Sequence, residues 1–392
     1  MKTGRSTPRS GERSVSFDAA TNRVRLLDQR QLPHQVLWLH TADYRATARA
    51  IRDMVVRGAP AIAAAAAYGL AQGIRAFRGR DLGKFGAHVR RVHRALLAAR
   101  PTAVDPARAM EEVLAAIRAG HTVEERKALA LAAAEEFAHR SAAECRALGE
   151  QGLPLIRNGM SVLTHCNAGR LACVDYGTAT APLYLAQERG RRFHVYCTET
   201  RPRSQGAALT AWELARAGIA HTLIADTAVG LLMQQGRVDL VLVGSDRVLG
   251  RTGHVTNKIG TYNLAVLAHR HGIPFYVAIP LSTLDWDLKS PSQIPIEERD
   301  PAEVRCARGV PLTRAARATV CEPVTVRVAN PTSPVWNPAF DITPPELVTG
   351  VLTPAGIFKP NELWSQRRRL GYDRMISAAG PHQATRRSPV SG

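Results

Sequence analysis

Between residues 43 and 148, apolar side chains recur at the three-and-four spacing of amphipathic helices, over 46–56, 82–99, 106–119 and 123–148, with Gly and Pro between them. An alanine-rich helix entered through Arg57-Gly58-Ala59-Pro60 belongs to the same region. Ahead of it, 23–27 reads as a strand, and Leu32-Pro33 with 36–39 would complete a small sheet. Beyond Gly152 the period changes. The segments 160–164, 193–197, 220–224, 238–243 and 274–279 are short, apolar and rich in β-branched residues, as buried parallel strands are. Helical stretches at 178–188, 206–217, 227–235 and 258–271 separate them, so the alternation predicts a parallel, Rossmann-like sheet. A last helix is predicted over 341–358, with Thr343 as its cap, Pro344 and Pro345 in its first turn and Glu346 closing a capping box.

The expected fold class is therefore α/β, with a mainly helical N-terminal domain carrying a small sheet and a Rossmann-like C-terminal domain. The expected boundaries are a disordered tail over 1–14, the helical domain over 15–150, the catalytic domain over 151–365 and a basic, disordered tail over 366–392. Length agrees, since 392 residues at ~150 per domain suggest two.

Composition narrows the function classes. With 45% hydrophobic and 22% charged residues the chain is globular rather than fibrous or disordered. Its longest apolar run, 59–71, falls short of the ~20 residues needed to cross a bilayer, and the first 14 residues lack the apolar core of a secretory signal. No membrane span and a cytoplasmic location are expected. The six cysteines contain no Cys-x-x-Cys pair, which disfavours a zinc ribbon or a disulfide scaffold; Cys145, Cys173, Cys306 and Cys321 are assigned to structure. The net charge of +19 could serve nucleic acid, a membrane surface or an anionic substrate. Part of it lies in the tails, aromatics are only 5%, and no nucleic-acid-binding signature organises the rest, so a nucleic-acid role is disfavoured.

In an open α/β sheet, ligands bind beyond the carboxyl ends of the strands. Three such segments are unusually polar: His165-Cys166-Asn167-Ala168-Gly169, the run from Thr198 to Gly206, and Gly244-Ser245-Asp246-Arg247 leading through a Gly-rich loop to Asn257-Lys258. A Cys and an Asp facing each other across a cleft form an acid/base pair. Asn257-Lys258, read as opening a helix, and Arg57-Gly58-Ala59-Pro60, at the start of another, could hold an anion. Each has a plainer rival: Cys166 as a small core residue, Asp246 and Asn257 as helix caps, Arg57 and Lys258 as solvated cations. His165 is assigned to hydrogen bonding beside the site, and no metal is expected because no further ligand accompanies it at metal spacing.

These residues carry a resemblance. Thr164-His165-Cys166-Asn167-Ala168-Gly169 and Asn257-Lys258-Ile259-Gly260-Thr261-Tyr262, together with Arg57-Gly58-Ala59-Pro60, Arg100-Pro101-Thr102-Ala103-Val104, Glu199-Thr200-Arg201-Pro202 and Asn337-Pro338-Ala339-Phe340-Asp341, strongly resemble the methylthioribose-1-phosphate isomerase family. That family is related to the regulatory subunits of the initiation-factor 2B exchange complex, and the match runs over about 20–360. The resemblance implies conversion of a 5-substituted ribose 1-phosphate into the ribulose 1-phosphate, in methionine salvage, without a cofactor and in a homodimer. It also implies that Cys166 handles the C2 proton, that Asp246 is the proton donor, and that Arg57, Gly58, Ala59, Arg100, Gln205, Asn257 and Lys258 bind substrate, mainly its phosphate. Another 5-modified or 5-deoxy sugar, or a non-catalytic sugar-phosphate sensor, are the alternatives. The chain departs from the pattern at Thr198, where an acid is expected, at Ser245, at 231–233, and in the loop 250–254, expected to border the sugar.

Overall fold

The computed structural model describes residues 2–5, 13–100, 104–312 and 322–373. Cys321 and the tail beyond Asp373 lie outside the described residues. The N-terminal sheet has strands β1 (Lys2–Arg5), β2 (Val15–Asp18), β3 (Arg23–Leu27) and β4 (Leu37–Thr41), all antiparallel in the order β1-β4-β3-β2. Its period-two pattern sends Val15, Val24 and Leu26 into the core. Strand β1 was not anticipated by the expectation of a tail over 1–14.

Five helices follow, α1 (Tyr44–Arg52), α2 (Ala59–Arg75), α3 (Leu82–Leu97), α4 (Val104–Ala116) and α5 (Val123–Gly152), of which α1 and α2 lie against this sheet. Alanine explains the centre of the bundle. Helix α2 is buried from Ala61 to Ile74 with the other four helices against it, and small side chains allow that many close approaches. The helix starts are capped: Asp43, Asp81 and Thr122 each accept a backbone N–H in the first turn of their helix. Helix α5 is 30 residues long and carries its last turns across to the second core, where the Cα of Gly152 faces Pro182 and Leu352.

That second core surrounds a seven-stranded sheet with strands β5 (Ser161–Thr164), β6 (His194–Thr198), β7 (His221–Ile224), β8 (Leu240–Val243), β11 (Phe275–Ala278), β16 (Gly350–Thr353) and β17 (Gly356–Phe358). The order is β17-β16-β11-β8-β5-β6-β7, parallel throughout except for β17. All four residues of β8 are buried, as expected of a strand covered on both faces. Helices α6 (Ala181–Glu188), α7 (Ala211–Arg216), α8 (Val229–Gln234) and α9 (Thr261–Arg270) provide crossovers. The molecule is thus α/β as expected, with a helical N-terminal domain and a Rossmann-like parallel sheet.

Three local expectations fail. The helix over 341–358 is instead strand β15 (Phe340–Thr343), one 3-10 turn (Pro345–Leu347), β16 and β17. Thr343 closes a strand paired to Val255 and caps nothing, because pairing of β16 with β11 outweighs the local capping signal. Asn257 and Lys258 end a strand, β10 (Val255–Lys258), instead of opening a helix; with β9 (Arg247–Leu249), β12 (Leu284–Asp285) and β15 it makes a second sheet, β12-β9-β10-β15. The stretch 366–373 is ordered: Leu370 is fully buried and Tyr372 meets Trp286 edge-on, so the basic tail cannot begin at 366. A two-stranded arm, β13 (Cys306–Gly309) with β14 (Val324–Arg327), completes the strands.

Candidate active site

After β5 the chain builds β6 and β7 to one side, whereas β8, β11 and β16 extend the sheet to the other. The crevice beyond the carboxyl ends of β5 and β8 is therefore the topological switch point. Cys166 stands two residues past β5, and Asp246 three past the neighbouring β8.

Cys166 adopts a left-handed backbone, φ +62°, which costs a non-glycine residue roughly 1–2 kcal/mol and persists only when its surroundings impose it. Its N–H donates to Thr200 Oγ1 at 2.9 Å, and its carbonyl accepts from the Thr210 hydroxyl at 2.6 Å. Thr210 ends a π-helical turn, Gly206–Thr210, that runs into α7. Only glycine fits at 206, since a Cβ there would lie 1.7 Å from the Thr198 carbonyl oxygen.

Asp246 is held by its backbone, whose N–H donates to the Thr256 carbonyl at 3.0 Å. Its side chain opens into the cleft, and among the described residues no donor bonds its carboxyl. The side chain is exposed at the crevice, yet the protein around it strips part of its hydration and raises its pKa, against the pull of Lys258, Arg299 and Arg57.

Arg57 crosses from the N-terminal domain. Its guanidinium donates to the Asn167 carbonyl at 3.2 and 3.3 Å and also bonds Asn167 Oδ1. Asn167 is aimed in turn by its Nδ2, which donates to Thr210 Oγ1 and to Glu213 Oε1, both at 3.1 Å. The buried Glu213 carboxylate also accepts from the N–H groups of Arg170 and Leu171 and from the Tyr184 hydroxyl, so its charge is satisfied and its position fixed. The turn before α2 is tight: Gly58 has φ +87°, and a Cβ there would be 2.3 Å from the Ala172 carbonyl oxygen.

Lys258 is buried at the end of β10, donating to the Ala339 carbonyl at 3.0 Å and lying 4.6 Å over the Phe340 ring. Burial lowers its pKa, while the Asp246 carboxylate supports the ammonium. Arg100 is within electrostatic reach of Arg299, Arg203 and Asp246. Gln205 lines a small pocket with Lys258, Arg203, Arg299 and Asn337. Three buried polar atoms around this crevice, Gln205 Oε1, Arg57 Nε and Arg299 Nε, have no hydrogen-bond partner among the described residues. Such atoms ask for a ligand or water.

Of the residues singled out from sequence, Cys166, Asp246, Arg57, Arg100, Gln205 and Lys258 meet around one crevice. Gly58 and Ala59 shape the start of α2 beside Arg57. The Asn257 side chain turns to Thr261, donating to its hydroxyl at 3.0 Å. Sequence reasoning missed Arg299, Asp105 and Glu213. Arg299 lies in a strand-poor stretch near 286–300 whose length alone could have marked it as functional. Asp105, which burial and the Asp246 charge push up to about 6, reads in the sequence as an ordinary first-turn acid. The loop 250–254 forms the far end of the β9–β10 hairpin: Gly250 packs on the Trp286 ring and Arg251 lies 3.9 Å over Trp364. It does not border the crevice, because both strands run away from Asp246 and Lys258 before the turn.

The model of the initiation factor 2 subunit family matches residues 55–360. A methylthioribose-1-phosphate isomerase of Desulfitobacterium hafniense (strain Y51) is 47% identical over 338 residues, 85% of this chain and 92% of that protein. One from Methylorubrum populi is 45% identical over 370 residues, covering 91% and 97%. Among solved structures, the 5-methylthioribose 1-phosphate isomerase of Pyrococcus horikoshii OT3 superposes with a TM-score of 0.82 at 36% identity, covering 94% of this chain and 97% of that one. The translation initiation factor eIF-2B subunit delta of A. fulgidus gives 0.80 at 40% identity, covering 92% and 99%.

Proposed function

This chain belongs to the initiation factor 2 subunit family, in its methylthioribose-1-phosphate isomerase branch, and on that premise we propose that it converts 5-methylthioribose 1-phosphate into 5-methylthioribulose 1-phosphate. Cys166 and Asp246 are the catalytic pair of this reading. The observation that carries it is their juxtaposition past adjacent parallel strands, in a crevice where Arg57, Arg100, Lys258 and Arg299 gather around an acid with a raised pKa.

The phosphate on C1 blocks spontaneous ring opening, so an acid has to protonate the ring oxygen as its bond to C1 breaks. A carboxyl whose pKa is raised by its surroundings suits that task, and this is the role of Asp246. Cys166 then takes the proton from C2. The resulting C1–C2 enol becomes a ketone at C2 as Cys166 returns a proton to C1 and the O2 proton leaves to the Asp246 carboxylate, which restores both groups, so atoms balance and no electrons leave the sugar. Arg57, Arg100, Lys258 and Gln205 hold the phosphate, helped by the free N–H groups where Gly58 and Ala59 open α2. Hydride transfer from C2 to C1 gives the same ketose, and deuterium from solvent appearing at C1 separates the two routes. The functional unit of this proposal is a cytoplasmic homodimer, which light scattering tests.

Proton NMR of the protein with 5-methylthioribose 1-phosphate, 5-deoxyribose 1-phosphate and ribose 1-phosphate tests the activity. Loss of the anomeric signal to a ketose, fastest with the methylthio sugar, is the expected result. Faster turnover of another sugar would reassign the substrate. Tight binding without turnover, unchanged by Cys166→Ala, would favour a sensor, a reading prompted by the likeness to the initiation-factor subunit.

A further inference from the structure

Four hydrogen bonds run in series from the Cys166 backbone to the turn after Lys258. Cys166 N–H donates to Thr200 Oγ1 at 2.9 Å, Thr200 and Thr198 share a hydroxyl bond of 2.9 Å, Thr198 Oγ1 meets His165 Nδ1 at 2.7 Å, and His165 Nε2 meets the Ile259 carbonyl at 2.9 Å. The Ile259 end fixes one proton, because a carbonyl can only accept and Nε2 must therefore donate to it. In the neutral ring that burial favours, Nδ1 accepts from the Thr198 hydroxyl, and the Thr200 hydroxyl, which also lies 3.3 Å from the Thr198 carbonyl, donates towards Thr198. We propose that Thr198 and His165 are positioning residues of the isomerase site: the Thr198 hydroxyl holds His165 as the neutral Nε2–H tautomer, and the pair locks the Cys166 turn at a set place relative to Lys258. This rests on the reading of Cys166 as a catalytic residue.

The surroundings leave the network no slack. Thr198 and Thr200 are 0% exposed and His165 is 2% exposed, so water cannot replace a lost partner. A Cβ on Gly260 would already be 3.1 Å from the imidazole, and the Thr198 carbonyl is pressed on Gly206. Burial of the ring also lowers the pKa of His165, in keeping with the neutral form. The network joins the ends of β5 and β6 to the turn between β10 and α9, the three segments that carry Cys166, Gln205 and Lys258. It also gives a physical role to Thr198, where the family resemblance calls for an acid: a carboxylate there would draw a second proton onto Nδ1 and make the ring an imidazolium.

The test pairs 15N NMR of histidine-labelled protein with kinetics, His165→Gln identifying the signals of His165. The unaltered protein should show a pyridine-type Nδ1 and a pyrrole-type Nε2. Thr198→Val should lower kcat by about 10- to 100-fold, as loss of alignment does, with KM within about threefold. The same variant should speed hydrogen exchange at the Cys166 amide, Thr198→Ser should restore both, and Thr198→Asp should give imidazolium signals. An Nδ1–H tautomer or an imidazolium in the unaltered protein would overturn the proposal, as would full kcat and unchanged exchange in Thr198→Val. If that variant does not fold, the tautomer and the Thr198→Asp spectrum still decide. Absence of turnover with every sugar would remove the isomerase reading alone, since the nitrogen signals and the amide exchange do not depend on activity.

Discussion

The turn after β5 and the turn after β8 begin side by side on the large sheet, yet they are built in opposite ways. Past β5, the polar groups of the turn are engaged: the Cys166 N–H and carbonyl, Asn167 and the buried Glu213 all have partners, and the backbone is held in a strained conformation. Past β8, the Asp246 carboxyl projects into the crevice with no donor on it among the described residues. The contrast suits a division of labour. A group that must meet one carbon of a bound sugar benefits from a rigid mount, whereas a proton donor benefits from a medium that weakens its charge and leaves its oxygens free.

Removing each group tests that division, beginning with the largest effect. Cys166→Ala should lower kcat by about a thousandfold or more with little change in melting temperature, read by NMR turnover and calorimetry. Asp246→Asn should cost about 100- to 1,000-fold in kcat. The pH profile sharpens this: a donor must be protonated, so kcat/KM should fall as pH rises through the raised pKa of Asp246, and in the Asn variant that limb should vanish. A variant that keeps the limb would assign the titration to another acid, such as Asp105, which feels the Asp246 charge and titrates at about 6.

Gly206→Ala attacks the mount itself. A methyl group 1.7 Å from the Thr198 oxygen forces β6 and α7 apart and should lower stability by about 3 kcal/mol, visible as a drop in melting temperature of several degrees. Arg57→Ala should act on binding, raising KM by about 10- to 100-fold for the ~1.5–3 kcal/mol of a charged hydrogen bond, with a smaller change in kcat. The smallest effect belongs to the hairpin tip. Arg251→Ala removes a cation–aromatic contact with Trp364 worth about 1 kcal/mol and should leave kcat/KM within about twofold. A marked change in sugar preference there would return the loop to the site.

Much of this was legible in the chain. The alanine run at 59–71, the helical spacing between 43 and 148 and the β-branched segments beyond Gly152 announce their elements, because helix and strand periods are local properties of neighbouring residues. The polar segments after strands also marked Cys166, Asp246 and Gln205, since the rule that ligands bind at strand ends needs only the order of elements. Local signals misled at Thr343 and at Asn257-Lys258, where strand partners 80 or more residues away outweighed an apparent helix start. Tertiary structure alone decided that β5 and β8 are neighbours, that Arg57 crosses to Asn167, that Glu213 anchors both, and that 250–254 lies away from the crevice. Those facts depend on pairings between distant segments, and one residue's burial, and so its hydrogen-bond partners and charge, exists only once the chain has closed around it.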